Sequence, residues 1–165
     1  MLKVKDVMSS PVFTVGPETT VKDASALLAE RNISGLPVVD MGKIVGVFSE
    51  ADVLRSIKTQ KKDLRLVYPS VSSLGIAFQE EVTQRELLEA YEEIGNMPVR
   101  DVMSRDVEAV TPELTLGEAV MKMVQRGIHR LPVVEKSQIV GIVTRGDVIR
   151  GLAKDASNSK GQPKL

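Results

Sequence analysis

The chain has no cysteine and no tryptophan, a single histidine, and only 3% aromatic residues. Without cysteine there is no disulfide framework, no zinc–thiolate centre and no thiol nucleophile. One histidine leaves no second imidazole for a metal site. No Ser/His/Asp order, Cys/His order or phosphate-cradling P-loop motif is present, so a catalytic role is not expected. Scarce aromatics weigh against base stacking on single-stranded nucleic acid. Charge of one sign is also missing: Lys plus Arg and Asp plus Glu both number 22, giving a formal net charge of zero. Nothing pulls the chain as a whole toward nucleic acid or an anionic membrane. No segment approaches the roughly 18 apolar residues of a membrane span. The opening MLKVKDVMSSPVF holds no apolar run of signal-peptide length. A cytoplasmic protein without membrane or nucleic-acid partners is expected.

What is present is a duplication. The 165 residues, 42% hydrophobic and 27% charged, suffice for one domain or two small halves with a core. Shifting the sequence by 95 positions lays Val4-Lys5-Asp6-Val7-Met8-Ser9 on Val99-Arg100-Asp101-Val102-Met103-Ser104. Leu36-Pro37-Val38-Val39 falls on Leu131-Pro132-Val133-Val134, and Ile44-Val45-Gly46 on Ile139-Val140-Gly141. Asp52-Val53 falls on Asp147-Val148, and Arg55 on Arg150. Positions 4–55 align with 99–150 without a gap, and 23 of the 52 pairs are identical. Two copies make a pseudo-symmetric pair and not a solenoid.

Each copy predicts the same order, β-α-β-β-α. A short extended piece, Val12 to Val15 in the first copy, stops at Gly16-Pro17. Thr20 with Asp23, and Thr115 with Glu118, have the spacing of helix N-caps and capping boxes. The apolar positions Val21, Ala24, Leu27 and Leu28 have helical spacing, as do Leu116, Ala119, Val120, Met123 and Val124. Asn32 and Gly127 stand where these helices should stop. Two β-rich runs follow, LPVVD and IVGVFS, joined at Met41-Gly42; the second copy has LPVVE and IVGIVT around Lys136-Ser137. A closing helix starts near Glu50 and near Arg145.

The fold class is α+β, with α/β-like repeats. Repeat one spans 1–57 and repeat two 99–153. An insertion over 58–98 is predicted to be partly helical, with a helix from about Gln84 to Ile94 stopped at Gly95. The stretch LRLVYPSVSSLGIAF before it is apolar without clear periodicity. The polar end, 154–165, reads as a disordered tail. The basic run KTQKKDLR reads as a solvated helix face, and Met8 and Met103 as core fillers.

DVMS, an extended piece, a capped helix, LPVVD, a hairpin and then G-h-h-(S/T)-x-x-D, twice in order, resemble the CBS domain, the cystathionine-β-synthase-type regulatory domain. Two in tandem resemble a Bateman module. That resemblance implies two repeats packed around a pseudo-twofold axis, with clefts for adenosine-containing ligands such as AMP, ADP, ATP or S-adenosylmethionine. It implies a ribose-binding role for Asp52 and Asp147, with Ser49 and Thr144 beside them. It places Ile33, Ser34, Pro37 and Thr14, and Ile128 and Pro132, around adenine, and His129, Arg130 and Arg145 near phosphate. It further implies a homodimer and a protein partner that reads the ligand state. The same fold used only for assembly, without a nucleotide, is the alternative.

Plainer roles are available for the same residues. Ser49-x-x-Asp52 and Thr144-x-x-Asp147 are also capping boxes, and the two roles are compatible. A lone histidine is ordinarily a surface group and a lone arginine a solvated charge. Together at a strand start they form a phosphate clamp, because a guanidinium matches phosphate oxygens in a fork. The first copy has Ser34-Gly35 in place of His129-Arg130, and Glu50 in place of Arg145. Unequal sites are therefore expected, with the Asp147 site better suited to a phosphate.

Overall fold

The computed structural model describes residues 1–60, 66–72, 75–81 and 83–159. Its helices are α1 (Val21–Arg31), α2 (Glu50–Gln60), α3 (Gln84–Gly95), α4 (Leu116–Arg126) and α5 (Arg145–Ser159). Its strands are β1 (Gly35–Asp40), β2 (Lys43–Ser49), β3 (Leu66–Ser72), β4 (Gly75–Glu81), β5 (Arg130–Glu135) and β6 (Gln138–Thr144). Among the described residues they pair as three two-stranded sheets, β1-β2, β3-β4 and β5-β6. The class is mixed α and β.

Local chemistry sets most of these boundaries. Thr20 caps α1 by accepting from the Asp23 N–H at 3.1 Å. Thr115 and Glu118 form the reciprocal box at the start of α4. Asn32 and Gly127 end α1 and α4 in the left-handed region, with φ of 51° and 62°. Both hairpin turns place two residues at positive φ: Met41 and Gly42 at 47° and 79°, Lys136 and Ser137 at 50° and 66°. That conformation matches the twist of the flanking strands. The opening strand of each repeat is shorter than expected. It survives as single parallel bridges, Val15 to Val38 and Val110 to Val133, because Gly16-Pro17 and Thr111-Pro112 end the run at once.

The stretch before α3 forms an antiparallel hairpin, with Leu66 opposite Glu81 and Ser72 opposite Gly75. Pro69 sits inside β3, and a two-stranded sheet gives it an open edge where no N–H is needed. One expectation needs correction: at the end of the chain, α5 continues through Ser159. Residues 154–159, assigned above to the tail, are therefore helical, and Ser157 Oγ bonds back to the Ala153 carbonyl at 2.9 Å. Residues 160–165 and most of the KTQKKDLR run lie outside the described residues.

The spatial units are not the sequence repeats. One unit joins residues 1–14 and 39–45 to 106–165; the other joins 15–38 to 46–105. Each DVMS lead-in belongs with the other repeat. In the first unit, Val4 N–H bonds the Leu114 carbonyl at 2.9 Å, and Ser9 and Ile142 exchange backbone bonds at 2.9 and 3.1 Å. Lys3 and Lys5 both reach Glu113 at 2.6 Å. Those two ammonium groups hold the Glu113 pKa down from 4.5 to about 2. Their contribution is present above pH 4.5 and is lost as pH falls toward 2. In the second unit, Val99 N–H bonds the Thr19 carbonyl at 2.8 Å, and Arg100 pairs with Glu18.

The core of the first unit gathers Val4, Val110, Leu116, Ala119, Met123, Leu131, Val133, Val143 and Val148. In the second unit Leu36, Val38, Phe48, Ile94 and Val99 are fully buried, and α3 packs on α1 and α2. The methionines do fill space. Met8 lies against Gly141 and Met103 against Gly46, where an added β-carbon would collide with sulfur. Gly141→Ala should therefore cost roughly 1–3 kcal/mol by overpacking, read by urea denaturation. Gly117→Ala, where nothing lies within 4 Å, should cost nothing.

Candidate ligand site

The second repeat turns from β6 into α5 at Thr144-Arg145. The Asp147 carboxylate closes that corner. Its Oδ2 accepts from Thr144 N–H at 2.8 Å and from Thr144 Oγ1 at 2.7 Å. Thr144 Oγ1 accepts in return from Asp147 N–H at 3.3 Å. Oδ1 accepts from the Arg150 guanidinium, one turn along α5. Asp147 is only 5% exposed, while the Arg150 side chain is 73% exposed. The capping box is thus built, and it uses one carboxylate oxygen. The other faces an arginine that water can replace.

Two arginines and the single histidine come together at this corner. Arg145 N–H bonds the His129 carbonyl at 3.1 Å. Arg130 stands opposite Thr144 in the β5-β6 register. His129 has its pKa lowered, first by partial burial and then by the charges of Arg145 and Arg130. Ile128 is half-buried, Thr14 is exposed within the same unit, and Pro132 is fully buried with its carbonyl accepting from Val110 N–H at 2.9 Å.

The first repeat builds the same corner from β2 into α2. Asp52 Oδ2 accepts from Ser49 N–H at 2.8 Å and Ser49 Oγ at 3.0 Å. Arg55 pairs with Oδ1 at 2.7 Å, and Ser104 Oγ reaches the same oxygen at 3.3 Å. Glu50 N–H bonds the Ser34 carbonyl at 3.1 Å, so an anionic side chain stands where the other corner has Arg145. Ile33 is half-buried, Ser34 exposed and Pro37 fully buried.

Sequence reading missed Arg55 and Arg150. The i, i+3 spacing of D-V-h-R in both copies was the available signal. It also missed Ser104, which comes from the other repeat's lead-in and leaves no local trace near Asp52. An apolar cavity of about 390 Å³ lies between α4 and α5, lined by Val120, Met123, Val124, Val148 and Ile149 and reaching Arg145 of the corner. Val124 and Ile149 are 72% and 66% exposed there. Among the described residues no group of three or more His, Cys, Asp or Glu could hold a metal. No helix among them is long and apolar enough to cross a membrane.

A family model for the CBS domain matches residues 4–59 and 99–154. The uncharacterized protein MJ1426 of Methanocaldococcus jannaschii is 36% identical over 155 residues, covering 92% of each chain. The chloroplastic CBS domain-containing protein CBSX2 of Arabidopsis thaliana is 32% identical over 155 residues, 90% of this chain and 63% of that protein. A crystal structure of CBSX2 in complex with AMP has a TM-score of 0.68 at 29% identity, covering 93% of this chain and 98% of that one. The CBS domain pair of MJ0100, solved with 5′-methylthioadenosine and S-adenosyl-L-methionine, shares the fold at a TM-score of 0.69 and 23% identity, over 94% and 98% of the two chains. With the family matched in both repeats, at the strand–helix corners just described, this chain belongs to the CBS domain family as a tandem pair.

Proposed function

We propose that the chain is a regulatory module that binds an adenosine-containing ligand, of the AMP, ADP, ATP or S-adenosylmethionine type, at the β6-α5 corner. The observation that carries this reading is the Asp147 carboxylate: buried, anchored through one oxygen, and held through the other only by an exposed arginine. A carboxylate suits ribose because it can accept from two adjacent hydroxyls. Thr144 holds it in position. His129, Arg130 and Arg145 supply charge-assisted donors for a phosphate, aided by the N-terminus of α5. Ile128, Pro132 and Thr14 belong on the adenine side. AMP in the CBSX2 complex supports this ligand class. The Asp52 corner, with Ser49, Ile33, Ser34 and Pro37, carries Glu50 and no equivalent cation cluster, and is not a phosphate site.

The module does no chemistry of its own in this reading. Ligand binding matters by favouring one of two conformations that a protein partner distinguishes, which requires different affinities for the two. The exposed apolar face of α4 and α5 provides the contact for a homodimer. A helix face of this kind wants a cover. That face also supports the second reading, assembly without a nucleotide.

A thermal-shift series with AMP, ADP, ATP and S-adenosylmethionine separates the two. At 100 times the dissociation constant a native-state ligand adds about 2.7 kcal/mol. The shift should appear in the wild type and vanish in Asp147→Asn. Absence of any shift, with no co-purified ligand, favours assembly alone.

His129 gives a second test. With its folded pKa below 6.5, the free chain should lose stability as pH falls below that value. A bound phosphate favours the imidazolium, so binding should take up a proton. Affinity for AMP should rise as pH falls through this range more steeply than in His129→Gln, measured by calorimetry in two buffers of different ionisation enthalpy.

For the dimer, Val124→Glu with Ile149→Glu should give a monomer in sedimentation, with the far-ultraviolet spectrum unchanged. A dimer that survives both charges must use another face.

A further inference from the structure

Asp52 and Asp147 hold equivalent places, yet their acceptor sites are not equally full. Both have Oδ2 taken twice, by the N–H and the hydroxyl of the residue three positions back. Both have Oδ1 paired with the arginine three positions on. Asp52 Oδ1 takes one donor more, Ser104 Oγ at 3.3 Å. A carboxylate offers about four lone-pair directions, and at Asp52 all are in use.

Ser104 is fixed where it stands. Its N–H bonds the Val47 carbonyl at 3.0 Å and its carbonyl accepts from Val47 N–H at 2.9 Å. Met103 beside it is packed against Gly46. The equivalent residue at the other corner, Ser9, has the same backbone exchange with Ile142. Its side chain makes no hydrogen bond to Asp147, and the hydroxyl that reaches Asp147 comes from Thr144.

We propose that Ser104 closes the Asp52 corner to ribose, so that each chain takes one nucleoside ligand, at Asp147, while Asp52 fastens α2 to the lead-in of the second repeat. The proposal rests on the ribose-binding reading of Asp147 given above. A diol must replace the donors on Oδ1. At Asp147 it displaces a single exposed guanidinium, which water takes up. At Asp52 it must also turn away the hydroxyl of Ser104, whose backbone is kept beside the carboxylate by two bonds to Val47. Ser104 is thus a specificity-determining residue for which corner binds.

Calorimetric titration of the full chain with AMP, and separately with S-adenosylmethionine, tests this on wild type, Asp52→Asn, Asp147→Asn and Ser104→Ala. One ligand per chain is expected in the wild type, lost at least tenfold in affinity in Asp147→Asn and kept in Asp52→Asn. Ser104→Ala should gain a second, weaker event with S-adenosylmethionine, which carries no phosphate, and adding Asp52→Asn should remove it. Two events in the wild type, one of them abolished by Asp52→Asn, overturn the proposal, as does a Ser104→Ala chain that still binds S-adenosylmethionine once. If neither probe binds any variant, the ribose reading itself fails. The fastening is then judged without ligand: Asp52→Asn should lower Tm more than Asp147→Asn, and equal losses overturn it.

Discussion

Met8 lies where a β-carbon of Gly141 would stand, and Met103 where one of Gly46 would stand. A thioether on a bare strand backbone is a close fit that any other residue at the glycine would spoil. The consequences spread from that contact. It holds Ser9 beside Ile142 and Ser104 beside Val47 for their backbone exchanges. It keeps Val4 and Val99 in their cores. It brings Lys3 and Lys5 to Glu113 and Arg100 to Glu18. The glycine of G-h-h-(S/T)-x-x-D is therefore a packing requirement imposed by a segment far away in sequence.

That long reach has a folding cost. Closing Val4 onto Leu114 orders a long stretch of chain, and loop-closure entropy must be overcome before the contact contributes. Ion pairs at exposed carboxylates do little for equilibrium stability. Their geometry instead fixes which lead-in meets which repeat. Lys5 and Arg100 occupy the same repeat position, as do Glu18 and Glu113, so the pairing is reciprocal.

Much was legible locally. Thr20, Thr115, Asn32 and Gly127 marked both helices of the repeats because caps are decided by residues three or four apart. Met41-Gly42 and Lys136-Ser137 marked the hairpins for the same reason. The α3 boundaries followed from apolar spacing and Gly95. The β3-β4 hairpin was hidden because its residues do not alternate and Pro69 argues against a strand. The exchange of lead-ins was hidden because aligned repeats give the same pattern whether each lead-in folds back on its own copy or on the other. At the site, Asp147 and Thr144 were readable as a motif. The full acceptor shell of Asp52 was not, since its last donor arrives from 52 residues away.

Duplication gave the chain two equivalent corners, and the substitutions since then act on both in one direction. Arg145 against Glu50, and His129-Arg130 against Ser34-Gly35, raise the positive potential at one corner and lower it at the other. Ser104, the same residue type as Ser9, fills the remaining acceptor at the corner that has Glu50 in place of Arg145. These differences agree in effect. The first repeat becomes the more fully satisfied in its polar groups. The second keeps an acceptor held by a replaceable arginine, a cluster of cations and an uncovered helix face. A binding module needs such incompletely satisfied groups, because a ligand or partner gains free energy only by satisfying what the fold leaves open.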